Sequence, residues 1–86
     1  MKKYFAKVIV TLKDEVKDTR ALAVEKTLKR LGVAENSNFR TGKFYAFDFS
    51  AQNERTALEK LGFICADVLS NPVVEKYEIL EFKELK

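Results

Sequence analysis

Pro72 constrains this chain more than any other residue. It has no N–H to donate and it holds Asn71 in extended backbone, so a helix running through Cys65-Ala66-Asp67-Val68-Leu69 must end by about Ser70. The residues beyond it, Val73-Val74-Glu75-Lys76-Tyr77-Glu78-Ile79, have the β-branched and aromatic content of a strand. That strand is expected to run to about Phe82, leaving Lys83-Glu84-Leu85-Lys86 as a fraying tail. The chain therefore passes from helix to strand within Ser70-Asn71-Pro72.

The elements before this corner are read from their periods. Tyr4 to Lys13 alternates, with Ala6, Val8, Val10 and Leu12 on a dry face and Phe5, Lys7, Ile9, Thr11 and Lys13 on a mixed one. Asp14-Glu15-Val16-Lys17 is a polar connection, and Asp18 is placed to cap a helix over Thr19 to Leu31. Ala21, Val24, Leu28 and Leu31 form its apolar stripe, Lys29 and Arg30 suit the negative end of its dipole, and Gly32 supplies the left-handed residue that ends it. Val33 to Asn38 reads as a polar loop. Phe39 to Phe49 is β-rich, with Tyr45, Phe47 and Phe49 on one side and Phe44, Ala46 and Asp48 on the other. Thr41-Gly42-Lys43 interrupts it, either as a hairpin turn or as a bulge in one bent strand, and the sequence leaves both open. A second helical pattern begins at Ser50, with Ala57, Leu58, Leu61, Ile64, Cys65, Val68 and Leu69 along one face and Gly62 inside it.

Strand, helix, strand or hairpin, helix, strand predicts one α+β domain over residues 1–86: an antiparallel sheet with two helices on a single face, the two-layer ferredoxin-like arrangement. The opposite face is left with Phe5 and Ile9 from the first strand, Phe44 from the middle, and Leu80 and Phe82 from the last. Such a patch exceeds what soluble monomers expose, so a homo-oligomer, most simply a dimer, is expected through that face. Glu81 would then lie on the core side, which marks the phase of the last strand as the weak point of the assignment. With 86 residues to build a core, shared burial with a partner would also be natural.

Composition narrows the function. The chain has no histidine, the commonest general base and metal ligand, and its one cysteine, Cys65, lies on a helix stripe where a small buried hydrophobe belongs. The net charge of +3 is spread along the chain rather than gathered in a basic stripe, and no apolar run reaches the length of a membrane span. A cytoplasmic protein without nucleic-acid or membrane partners is expected. Carboxylate pairs such as Asp14-Glu15, or Glu54 with Glu59, fall in polar stretches where nothing would raise a pKa for acid–base work. Arg40-Thr41-Gly42-Lys43 offers two cations around a glycine but lacks the spacing and context of a phosphate loop, so a solvated turn competes with an anion grip. Gly42-Lys43-Phe44-Tyr45-Ala46-Phe47-Asp48-Phe49 faintly matches an RNA-recognition strand without its glycine.

Several pieces in order nonetheless carry a family resemblance. Val8-Ile9-Val10-Thr11-Leu12-Lys13, Val16 and Asp18, Ala23-Val24, Leu28 with Leu31-Gly32, Arg40-x-Gly42-Lys43, the strand to Phe49, Cys65-Ala66-Asp67-Val68-Leu69 and Asn71-Pro72-Val73-Val74-Glu75-x-Tyr77 together resemble the PurS-type small subunit of phosphoribosylformylglycinamidine synthase. Thr19 and Ala21 stand where that family commonly has proline and glycine, and aromatic residues replace aliphatic ones at 39, 45, 47 and 49. The resemblance implies a noncatalytic subunit of an ATP- and glutamine-dependent amidotransferase of purine synthesis, bridging a synthetase and a glutaminase and supporting ammonia transfer. It implies that ATP and magnesium are bound by the large subunit and that no cofactor is held here. Arg40, Gly42, Lys43, Asn71 and Pro72 are the expected partner-binding residues. A stand-alone ligand-sensing module and an RNA-binding module are the competing expectations.

Overall fold

In the computed structural model, which describes residues 1–33 and 38–86, the alternating segment becomes β1, Lys2–Leu12. Its dry face begins one step earlier than the apolar pattern alone suggests: Tyr4, Ala6, Val8 and Val10 are all buried. β1 is the middle strand of a three-stranded sheet, flanked by β2 (Gly42–Ala51) and β3 (Glu75–Leu85). Both neighbours run antiparallel to it.

Helix α1 spans Thr19–Arg30. The Asp18 carboxylate accepts the Ala21 N–H at 2.9 Å, satisfying one of the free donors of the first turn. At the other end Gly32 takes φ 81°, and the Val33 N–H closes onto the Leu28 carbonyl at 2.9 Å. The expected loop from Val33 to Asn38 falls mostly outside the described residues.

β2 settles the alternatives at Gly42: it is one strand that starts at that glycine, paired with β1 from Thr11↔Gly42 to Lys2↔Ala51 without a break. Ser50 is not the start of the second helix, as the sequence suggested. Ser50 and Ala51 still pair with β1, and α2 (Glu54–Phe63) begins only after Asn53, whose side chain accepts the Thr56 N–H at 2.9 Å. α2 runs directly into a π-helical segment, Ile64–Leu69. The residues turned to the sheet, Ala57, Leu61, Cys65 and the half-buried Leu69, recur every four positions. An α-helix carries a four-residue repeat progressively off its face, and the wider π turn brings it back. Leu58 and Val68, expected on the buried face, are consequently exposed.

β3 also departs from its reading at both ends. Val73 and Val74 lie in the turn, where the Val74 and Glu75 N–H groups donate to the Asn71 carbonyl, and the tail does not fray but pairs as far as Lys3↔Leu85. Between Lys7↔Glu81 and Val8↔Ile79 the register slips, leaving Leu80 as the extra residue of a bulge. The bulge reverses the phase beyond it. Phe82 therefore lies opposite Ala6 and packs into the core, stacked on Tyr4 at 5.5 Å, so its assignment to an outer oligomer face is overturned. Glu81 turns outward beside Lys7, which removes the misplaced charge.

The core has two linked parts: Ala6, Val8, Val10, Leu61 and Cys65, and then Tyr4, Ala51 and Ala57, with Phe49 and Phe82 packed against both. Tyr45 and Phe47 join the first part as expected. The result is an α+β, ferredoxin-like arrangement with one unusual attachment. Along the stripe of α1, Ala21 is 2% exposed, Val24 38%, Leu28 half-buried and the capping Leu31 68%, so the helix is fully sealed only at its base. The molecule measures 54 × 28 × 14 Å. Its radius of gyration, 16.9 Å, exceeds the roughly 12 Å of a compact domain this size.

Candidate functional site

The two stretches expected to meet partners, Arg40 to Lys43 and Asn71-Pro72, are thirty residues apart in sequence and come together at the end of the sheet where β1 stops. Antiparallel pairing dictates this, because β2 and β3 both begin opposite the end of β1, at Thr11↔Gly42 and Leu12↔Glu75. Glu75 joins the two. One of its carboxylate oxygens accepts the Asn71 N–H at 2.7 Å, and the other pairs with Lys43 Nζ at 3.5 Å. Its side chain is only 14% exposed, so the link is better shielded than the groups it connects. Asn71 folds its own corner as well, Oδ1 accepting the Val73 N–H at 3.1 Å. The corner thus depends on Glu75, which sequence reasoning passed over; its position four residues after an Asn-Pro was the available signal.

A second set of contacts fixes the approach to β2. The Thr41 N–H donates to Asp18 Oδ2 at 2.8 Å and the Thr41 hydroxyl to Oδ1 at 3.0 Å. Asp18, read from sequence as a helix cap alone, thereby also latches the base of α1 to the start of β2. The Ala21 N–H, and after it the Thr41 N–H, hold its carboxyl below the usual carboxylate range. Arg40 reaches Asp14 at 3.9 Å, and Lys76 from β3 meets the same carboxylate oxygen at 3.4 Å. The clefts between these groups measure about 190 and 210 Å³, below the roughly 300–1,000 Å³ of pockets for drug-sized ligands. They suit single side chains better than a nucleotide.

Gly42 has a structural reason to be glycine. A Cβ there would lie 2.5 Å from the Val10 carbonyl oxygen and 2.9 Å from Cγ2 of its strand partner Thr11. The absence of a side chain lets β2 close onto β1, whatever else the position does.

On the outer face of the sheet Phe5 is half-buried beneath two lysines, Lys7 Nζ 5.8 Å and Lys83 Nζ 5.5 Å from its ring centre. Glu81 holds both cations at 3.3 Å, and its own pKa is lowered, first by Lys7 and then by Lys83. The expected apolar patch therefore contracts to the cross-strand pair Ile9 and Phe44, with Leu80 at the bulge. Cys65 is wholly buried and burial pushes its thiol up, the opposite of an activated nucleophile.

A charged corner of fixed geometry, side-chain-sized clefts, a partly bare helix and uncovered apolar groups define a protein–protein association module. The family model of PurS, phosphoribosylformylglycinamidine (FGAM) synthase, matches residues 5–82. The phosphoribosylformylglycinamidine synthase subunit PurS of Synechocystis sp. is 35% identical over 86% of this chain and 74% of its own length. That of Archaeoglobus fulgidus is 32% identical over 87% of this chain and 94% of its own. Among solved structures, Thermus thermophilus PurS superposes with a TM-score of 0.80 at 36% identity, covering 98% of this chain and 99% of that one. A chain of PurLQS from Thermotoga maritima gives 0.80 at 29% identity, covering 99% and 100%. The chain belongs to the PurS family of phosphoribosylformylglycinamidine synthase subunits.

Proposed function

We propose that this protein is the noncatalytic small subunit of a phosphoribosylformylglycinamidine synthase, bridging the synthetase and glutaminase subunits and supporting ammonia transfer between them. The observation that carries the reading is the meeting of Lys43 with the Asn71-Pro72 corner through Glu75, with Arg40 paired to Asp14 at the same end of the sheet, in a chain of this family. Such a corner presents long cations and a stiff turn to acidic groups of a partner without asking the fold to rearrange. ATP and magnesium belong to the large subunit, and this chain holds no cofactor. The complex is cytoplasmic; no helix among the described residues is long and apolar enough to cross a membrane.

The subunit acts as a homodimer. Its accessible surface is 6424 Å², against about 5,200 Å² for a typical folded monomer of 9.9 kDa. The excess, about 1,200 Å², is more than the ~800 Å² each partner buries in a standard interface. Co-expression with a synthetase and a glutaminase tests the bridging role. All three should co-purify, and glutamine-dependent turnover should require this chain while ammonia-dependent turnover requires it less. Full glutamine-dependent activity without it would refute the reading.

A further inference from the structure

We infer that the cleft where β1 ends receives a single carboxylate side chain from a partner subunit, and that Asp14 holds its place until that partner binds. The inference rests on the bridging role proposed above and names one contact by which it is made. Two cations from separate parts of the chain converge on one atom: Arg40 Nη1 lies 3.9 Å and Lys76 Nζ 3.4 Å from Asp14 Oδ1. Both cations stand on fixed backbone. Lys76 faces Thr11 in the β1–β3 ladder, and Arg40 precedes Thr41, whose N–H is held by Asp18. Asp14 is carried on a turn, closed by the Val16 N–H on the Lys13 carbonyl at 2.9 Å, and its side chain is 73% exposed. Between these groups is the cleft of about 190 Å³, walled by Thr11, Leu12, Val16, Phe39 and Thr41.

The carboxylates at this end of the sheet are not held alike. Asp18 uses its oxygens on the Ala21 N–H, the Thr41 N–H and the Thr41 hydroxyl, and Glu75 is shielded and accepts the Asn71 N–H. Among the described residues the Asp14 carboxylate meets only the two cations. Arg40 reaches it through one nitrogen beyond hydrogen-bonding distance, so the planar fork that grips a carboxylate with two parallel bonds is unused. Exposed pairs of this kind contribute little and exchange at little cost. The class of ligand follows from the same atoms. Both cations already face a carboxylate, the volume takes one side chain, and a doubly charged phosphate would meet Asp14 and Asp18 at once.

To test this, sodium acetate is titrated into the intact chain, with sodium chloride at equal ionic strength as the reference, while NMR follows the Arg40 Nε–H and Thr41 N–H signals. Acetate should shift both saturably and chloride should not. Asp14→Asn should tighten acetate binding about two- to fivefold, the worth of an exposed ion pair. Glu15→Gln, which removes the same charge from the next residue, should leave it unchanged, and Arg40→Lys, which keeps the charge without the fork, should weaken it. With a synthetase and a glutaminase co-expressed, the Asp14→Asn chain should hold its partners to higher salt than the wild type. Equal responses to acetate and chloride overturn the inference. So does an equal gain from Asp14→Asn and Glu15→Gln, which is net charge alone, and so does looser assembly of the Asp14→Asn chain, which makes Asp14 itself the contact. A wild-type chain that binds acetate as stated yet co-purifies with neither subunit sustains the carboxylate site and refutes the bridging role.

Discussion

Replacing Gly42 by alanine separates the two roles available to that residue. The new Cβ would stand 2.5 Å from a backbone carbonyl oxygen of β1, which cannot swing aside as a side-chain end can, and 2.9 Å from the Thr11 methyl. Relief requires β2 to draw back at its first residue, an overpacking cost of about 1–3 kcal/mol. Gly42 does not have a positive φ, so backbone strain adds nothing. Alanine's restriction of the unfolded chain offsets about 0.4–1 kcal/mol. The net expectation is a loss of about 1–2 kcal/mol, or a fall in melting temperature on the order of 5–15 °C for a domain of this size. Urea and thermal unfolding at fixed protein concentration measure it. Gly62→Ala is the paired control: its Cβ meets nothing within 4 Å inside α2, and it should gain about 0.5–1 kcal/mol. A Gly42→Ala chain as stable as the wild type, defective only in assembly, would refute the steric argument.

The double change Arg40→Ala/Lys43→Ala should shift stability by only about 0.5 kcal/mol, while weakening capture of partner subunits and glutamine-dependent turnover, more so as salt rises; pull-down across a salt series checks it. Leu61→Ala empties the centre of the core beneath Val8 and Val10 and should cost about 2–5 kcal/mol in urea unfolding. Asp18 and Glu81 both have folded pKa values below their unfolded ones, so what they contribute is present above the ordinary carboxylate range and lost as pH falls through the lowered values. Stability measured between neutral pH and pH 3 should decline on the acid side, and Asp18→Asn should flatten that decline; an unchanged profile would remove the latch from the acid response.

How much of this fold could be read in advance depends on whether one period governs each element. β1 alternates without exception, and α1 carries its cap, its basic last turn and Gly32, so both were legible to within a residue or two. β3 was not, because two phases meet inside it. Ile79 and Phe82 are three apart and both face the core, which no unbroken strand allows, and the bulge at Leu80 is the only reconciliation. The misplaced Glu81 was the visible symptom. Similarly, the four-residue recurrence of Ala57, Leu61, Cys65 and Leu69 fits neither a pure α nor a pure π winding, and the chain uses both. Of the site, the cations and the Asn-Pro corner were legible as local chemistry. Their meeting through Glu75 was not, since it depends on a register that only the completed sheet fixes.

The stripe of α1 shows a deeper limit. Hydrophobic period reports that a face is to be buried and is silent about what buries it. Ala21, Val24, Leu28 and Leu31 have the spacing of a core helix, yet within one copy the stripe is sealed only at its base. Tyr77 and Ile79 likewise alternate as core residues and remain partly bare. A monomeric domain would be under pressure to lose such residues, since exposed apolar area invites aggregation. Apolar stripes left open in two places, on α1 and on the core side of β3, are surface that a partner chain can cover and that a period alone cannot assign.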